Sequence, residues 1–131
     1  MSNCRPKVLV LDEDPLALEL YSRELSPDYE VVTSNSISES IDYLSIYQPD
    51  VLVIEPATDN NCGWLVLNAA ASLKSPPNMI LCSTQDDRPQ SPCPGIDWFL
   101  VKPVLPVTLH TLVDQIVAKR FIHLHQRLDQ D

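Results

Sequence analysis

Asp50-Val51-Leu52-Val53-Ile54-Glu55-Pro56 is the stretch whose reading decides the fold. Four apolar residues, rich in Val and Ile, run unbroken from an acidic start to a Glu-Pro end. A run of that length reads as a strand buried on both faces, the kind found at the centre of a parallel sheet with helices on either side. Glu55 is thereby delivered to the carboxyl end of a central strand, where open α/β sheets build their ligand and reaction sites.

On the N-terminal side, Lys7-Val8-Leu9-Val10-Leu11 is a second apolar run, ending in Asp12-Glu13-Asp14-Pro15. Pro15 suits the first turn of a helix, and the acidic residues before it suit the positive end of a helix dipole. Leu16, Leu18, Leu20, Tyr21 and Leu25 continue that helix to Ser26-Pro27, which stops it. Tyr29 to Thr33 reads as a short strand. Ser36 with Glu39 forms a capping box, followed by Ile37, Ile41, Leu44 and Ile46 at near-helical spacing until Pro49.

On the C-terminal side, a loop from Pro56 to Cys62 and then Gly63 lead to a helix predicted over Trp64 to Ser75. Met79 to Cys82 is a strand ending at Ser83-Thr84. Trp98 to Val101 is another, ending at Lys102-Pro103. From Val107 the pattern is helical to about Leu128. Strand and helix alternate, so the expected class is α/β, a doubly wound five-stranded parallel sheet in the order 2-1-3-4-5. The chain is read as one domain over residues 1–131, with a core of about 7–118 and a helical extension or frayed tail over 119–131.

Composition narrows the function. Hydrophobic residues make up 44% and charged residues 21%, as in ordinary globular domains. No apolar run approaches the roughly 20 residues that span a bilayer, and Met1 to Lys7 lacks a signal-peptide core. A cytoplasmic location is therefore expected. The net charge of −9 argues against nucleic acid and against an anionic membrane as partners. Cys4, Cys62, Cys82 and Cys93 form no close pair and have no His at ligand spacing, so they read as reduced thiols rather than a zinc site.

Three strand ends carry polar chemistry: Asp12 and Glu13 on the first, Glu55 on the third, Lys102 on the fifth. In the order 2-1-3-4-5 they converge on one shallow pocket. Clustered carboxylates repel, and at least one pKa should rise unless a cation such as Mg²⁺ takes their oxygens.

At these residues the sequence resembles the receiver domain of response regulators in bacterial two-component systems, over about residues 7 to 118. Asp12-Glu13 is similar to the family's acidic, Mg²⁺-holding pair. Ser83 matches the hydroxyl switch residue that senses the phosphoryl group, and Phe99 the aromatic switch. Lys102-Pro103 matches the Lys-Pro pair, where the resemblance implies a cis or strained peptide. Gly63 stands eight residues after Glu55, the spacing that the family shows between its phosphoacceptor and a glycine. The resemblance implies a flavodoxin-like fold and a part in signal transduction, without enzymatic activity of its own.

Three departures qualify that resemblance. Glu55 occupies the phosphoacceptor-equivalent position, which is Asp in the family. One extra methylene moves the carboxylate by roughly 1.5 Å, and misplacing a nucleophile by about 1 Å can cost about 10²-fold in rate. Glu55 carries one charge against about 1.5 to 2 for a phosphate, so it mimics the phosphorylated state only in part. Second, Ser83 to Gly95 holds Pro89, Pro92 and Pro94, so the family's fourth helix should be short or missing. Third, the last helix should outrun the sheet, leaving Phe121, Ile122, Leu124 and Leu128 as an interface for a homodimer. His110, His123 and His125 are expected to be exposed helix residues, and His123 and His125 point to different faces, which disfavours a metal between them.

The resulting expectation is a stand-alone pseudo-receiver, a phosphorylation-independent interaction module whose partners are other signalling proteins, a kinase or a regulator. The alternative is a conventional phosphoacceptor in a phosphorelay. A metal-free pocket with Glu55 paired to Lys102 is expected over weak Mg²⁺ binding by Asp12, Glu13 and Glu55. A haloacid-dehalogenase-type phosphatase is disfavoured because Pro15 and Leu16 follow Asp14, and flavin binding because only Gly63 and Gly95 are available for a phosphate loop.

Overall fold

The structure, a computed structural model, describes residues 5–84 and 96–129, with side chains to residue 122. Five strands, β1 (Lys7–Leu11), β2 (Glu30–Ser34), β3 (Val51–Ile54), β4 (Asn78–Ser83) and β5 (Ile96–Val101), form one sheet. All neighbours are parallel, in the order β2-β1-β3-β4-β5. The helices are α1 (Pro15–Leu25), α2 (Ile37–Tyr47), the single turn α3 (Thr58–Asn61), α4 (Gly63–Ala71) and α5 (Pro106–Asp129).

The apolar runs divide between two cores because side chains alternate across a strand. Val8 and Val10, Val51 and Val53, and Ile80 and Cys82 point to the face covered by α1 and α5. Leu9 and Leu11, Leu52 and Ile54, and Met79 and Leu81 point to the face covered by α2 and α4. Every residue of β3 is buried, as the opening stretch requires. Edge strand β5 is different, with Asp97, Trp98 and Val101 exposed.

Local signals match the helix starts. The Asp14 side chain caps α1 by accepting from the Leu16 N–H at 3.0 Å, with Pro15 in the first turn. Ser36 caps α2 by accepting from the Glu39 N–H at 3.3 Å, and Gln48 ends that helix in the left-handed region at φ 55°. Tyr29 is not part of β2. Its N–H is held by the carbonyl of Leu25 in the turn after α1.

The helix predicted over Trp64–Ser75 ends at Ala71 instead. The Ser72 hydroxyl donates to the Asn68 carbonyl at 3.0 Å, and Pro76 and Pro77 follow too closely to continue the helix. On α2, Ile41 and Ile46 are exposed while Leu44 carries the packing. On α5, Leu109, Leu112, Val113, Ile116 and Val117 enter the core as their spacing predicts. The 24 residues of α5 run about 36 Å, well past the strands. Arg120 marks the lower edge, donating to the Pro76 carbonyl at 3.2 Å and to Asn78 at 3.0 Å. The expected loss of a helix between β4 and β5 concerns residues outside those described, as do the side chains of His123, Leu124, His125 and Leu128.

Candidate functional site

Asp12 follows β1 directly, and its N–H still reaches the Ser34 carbonyl at the end of β2, at 3.1 Å. Its Oδ1 accepts from the Asp14 N–H at 3.0 Å, and its Oδ2 accepts from Lys102 Nζ at 2.5 Å. Both oxygens are therefore committed within the protein. Glu55 follows β3, with its N–H on the Leu11 carbonyl at 2.9 Å. Its Oε1 turns back to accept from the Ala57 N–H at 3.3 Å. Its Oε2 is buried, lies 3.5 Å from Lys102 Nζ and makes no hydrogen bond. Asp12 is 2% exposed and Glu55 4%, so the two carboxylates and the ammonium form one sealed cluster.

Burial is the largest influence on Glu55 and pushes its carboxyl above the ordinary value, with the Asp12 charge adding to the rise. Lys102 and the Ala57 N–H pull it back. Burial also works against the Lys102 charge, but the hydrogen bond and charge of Asp12, and then Glu55, outweigh it and hold the ammonium above its ordinary value. The cluster thus retains its cation. Burial pushes the nearby Cys82 thiol and Tyr21 hydroxyl each up to about 12, which removes both as nucleophiles at neutral pH.

The structure places the sequence-predicted residues unevenly. Asp12, Glu55 and Lys102 meet. Ser83 is buried at the end of β4, and its carbonyl accepts from the Lys102 N–H at 2.7 Å. Phe99 packs half-buried on the α2/α4 core. Glu13 does not join the pocket: it is exposed and has no ion pair among the described residues. The expected Glu55–Lys102 ion pair is present at 3.5 Å, and Asp12 is a second, nearer partner of Lys102 at 2.5 Å. The reason is reach: Glu55 bends back to the loop that follows it.

The donor set does not fit Mg²⁺ as it stands. Mg²⁺ requires near-octahedral oxygens at about 2.0–2.1 Å. Both Asp12 oxygens are used, Glu13 is exposed, and the Lys102 ammonium supplies the positive charge between Asp12 and Glu55.

The loop after Glu55 explains Gly63. Thr58 donates its hydroxyl to the Glu55 carbonyl at 2.7 Å, and Asp59, Asn60 and Asn61 all take positive φ, between 54° and 67°. Asp and Asn are the residues other than Gly that tolerate this region best. The chain returns so tightly that a Cβ on Gly63 would lie 2.7 Å from Pro56 Cα and 2.8 Å from the Glu55 carbonyl oxygen. The Lys102–Pro103 peptide is cis, as the resemblance implies.

Beside the cluster, an apolar groove of about 410 Å³ runs between α1 and the chain leading into α5. Leu16, Leu20, Tyr21, Thr84, Lys102 and Val104 line it.

Solved structures similar to this fold include receiver domains. The chain superposes on a receiver domain protein (CheY-like) from Methanospirillum hungatei JF-1 with a TM-score of 0.79 at 16% identity, covering 91% of this chain and 98% of that one. The signal receiver domain of a putative Luxo repressor protein from Vibrio parahaemolyticus gives 0.77 at 17% identity, covering 91% and 95%. A response regulator receiver domain protein from Clostridium thermocellum gives 0.77 at 20%, covering 89% and 98%. No protein-family model matches the sequence, and no curated protein matches it. The fold is that of response regulator receiver domains, five parallel strands in a flavodoxin-like sheet, and no helix among the described residues is long and apolar enough to cross a membrane.

A second polar cluster lies on the other side of the α1/α5 face. His110, expected to be an exposed helix residue, is largely covered and contacts carboxylates of Glu24, Asp28 and Asp114. Glu24/Asp28 and His110/Asp114 are each spaced i,i+4, but no sequence signal links the two pairs across 82 residues.

Proposed function

We propose that this chain is a pseudo-receiver, a protein-interaction module that works without phosphoryl transfer at Glu55 and catalyses no reaction of its own. The observation that carries the reading is the Glu55 carboxylate itself. It is buried, bent back onto the Ala57 N–H, and faces a Lys102 already held by Asp12. Phosphoryl transfer from a small donor needs an exposed, in-line nucleophile and a metal cation on the acidic residues, whereas here Glu55 is buried and the Lys102 ammonium already occupies Asp12. Lys102 replaces the metal, so the cluster is held in one state. The partners we infer are other signalling proteins, a kinase or a regulator, in the cytoplasm.

The exposed start of an apolar stripe on α5, Phe121 and Ile122, supports a homodimer through the last helix. In this reading Ser83 and Phe99 are switch-type residues, with buried Ser83 supporting the interaction surface from beneath and half-buried Phe99 at its edge.

Incubation with acetyl phosphate and Mg²⁺ followed by intact mass tests the central point. The expected result is no phosphoryl adduct on the wild type. An adduct that disappears in Glu55→Gln would make the chain a conventional phosphoacceptor instead.

A further inference from the structure

We propose that Asp28, His110 and Asp114 form a binding site for a borderline divalent transition cation of the Zn²⁺ class, between the end of α1 and the first turns of α5. This does not rest on the receiver reading and involves none of the residues of the strand-end pocket.

The His110 Nε2 lies 2.8 Å from Asp28 Oδ2 and 3.6 Å from Asp114 Oδ1. One ligand atom from each of the three residues falls within 4.8 Å of the others. Tetrahedral ligands at about 2.0–2.1 Å from Zn²⁺ stand about 3.3–3.4 Å from one another. The two separations from His110 bracket that value and the third falls within 4.8 Å, so rotation of the exposed Asp28 and Asp114 side chains would seat the ion. His110 and Asp114 are i,i+4 on one helix, the spacing at which a helix offers two ligands on a single face.

The groups around the ligands are also those of a metal site. His110 Nδ1 lies 2.9 Å from Glu24 Oε2. With Nδ1–H donating to Glu24, the neutral ring presents the Nε2 lone pair to the cation, the carboxylate–histidine–metal arrangement that fixes ring orientation and raises ligand basicity. The Tyr29 hydroxyl donates to Asp114 and holds that carboxylate in place. The imidazole is mostly covered, whereas Asp28 and Asp114 are more than half exposed, so an ion reaches the site from solvent. Three protein ligands leave a fourth position for water or for a donor side chain of another protein. An imidazole ligand favours Zn²⁺-class ions over Mg²⁺, which takes oxygens and demands octahedral geometry. The ion takes the place of the proton on Nε2, so binding releases it. The sequence reading set metal aside on cysteine spacing and on the His123/His125 pair, and these ligands contain neither.

The test is titration of the metal-stripped full chain with ZnCl₂ and, separately, MgCl₂, read by calorimetry and by thermal melting at neutral pH. The expected result is one equivalent of Zn²⁺ bound with a raised melting temperature, and no comparable response to Mg²⁺. His110→Ala and Asp114→Asn should each weaken binding at least about tenfold, and Glu24→Gln about 10–100-fold through lost orientation of the ring. Two variants guard against a folding defect in either, and melting without metal reports their integrity. Zinc binding unchanged in both ligand variants, as cysteine ligation would give, overturns the proposal. So does a melting temperature that follows pH but not zinc.

Discussion

Replacing Lys102 by Met keeps the stem and removes the ammonium, leaving two buried carboxylates without a counter-charge. Side-chain exposure is 16% for Lys102, 3% for Asp12 and 5% for Glu55, so solvent screens little of the loss. Breaking a buried ion pair in this way costs about 3–5 kcal/mol. The lower end applies because Asp12 keeps the Asp14 N–H and Glu55 keeps the Ala57 N–H. For 131 residues the unfolding entropy near the midpoint is about 0.28 kcal/mol/K, so about 3 kcal/mol lowers Tm by about 11 °C. The pH dependence has a fixed sign. Glu55, already raised by burial, rises further without Lys102, so its folded pKa exceeds its unfolded one. The folded state then binds the proton more tightly, and the variant is most stable below the unfolded carboxyl pKa of about 4.3, losing stability as pH rises through the folded pKa. Urea unfolding followed by circular dichroism between about pH 5 and 8 should therefore show the Lys102→Met penalty shrinking toward acid pH. Adding Glu55→Gln should recover part of it at neutral pH, and Mg²⁺ should stabilise Lys102→Met more than the wild type. A penalty below about 0.5 kcal/mol that does not vary with pH would refute the sealed cluster.

Further outcomes follow from geometry described above. Gly63→Ala should destabilise by about 1–3 kcal/mol in chemical denaturation, since its methyl meets backbone rather than a yielding side chain. Cys82, with its thiol pushed up to about 12, should resist alkylation at about pH 8, where the thiolate fraction is near 10⁻⁴, while the half-buried Cys62 reacts before it in peptide mapping. Light scattering at tens of micromolar should find a dimer for the full chain and a monomer for Phe121→Glu, and monomers in both would refute assembly through α5.

The sheet was legible in the sequence because its information is local. The runs Val8–Leu11 and Val51–Ile54 have no other use than burial on both faces, and Asp14-Pro15 and Ser36 mark helix starts through their own side chains. The convergence of Asp12, Glu55 and Lys102 was legible too, since strand order alone brings them together. The Glu55–Lys102 ion pair was foreseen, but the closer contact of Lys102 with Asp12 was not. Whether Lys102 meets Asp12 or Glu55 depends on a rotamer, and Glu55 is turned by the Ala57 N–H in a loop whose left-handed run at Asp59–Asn61 has no sharp sequence signature. Glu13 looked equivalent to Asp12 by adjacency, yet Asp12 is buried and Glu13 exposed once the chain has left β1. The His110 cluster was hidden because its halves lie on α1 and α5, whose mutual rotation is set by packing of Leu25, Leu109 and Val113. The early end of α4 was missed because Ser72 competes for the helix carbonyls from within an otherwise apolar pattern.

The contact between Lys102 and Asp12 also constrains the order in which the chain assembles. It joins residues 90 apart. Closing so long a loop in an open chain costs about 4 kcal/mol in entropy, more than one solvated ion pair returns. The contact becomes favourable only after β3 and β4 have docked beside β1 and shortened the path between its ends. The ion pair is therefore a late event on the folding route, absent from the transition state. Substitutions at Lys102 should leave the folding limb of a chevron nearly unchanged and steepen the escape from the native state, so the pocket acts as a latch on a sheet that forms without it.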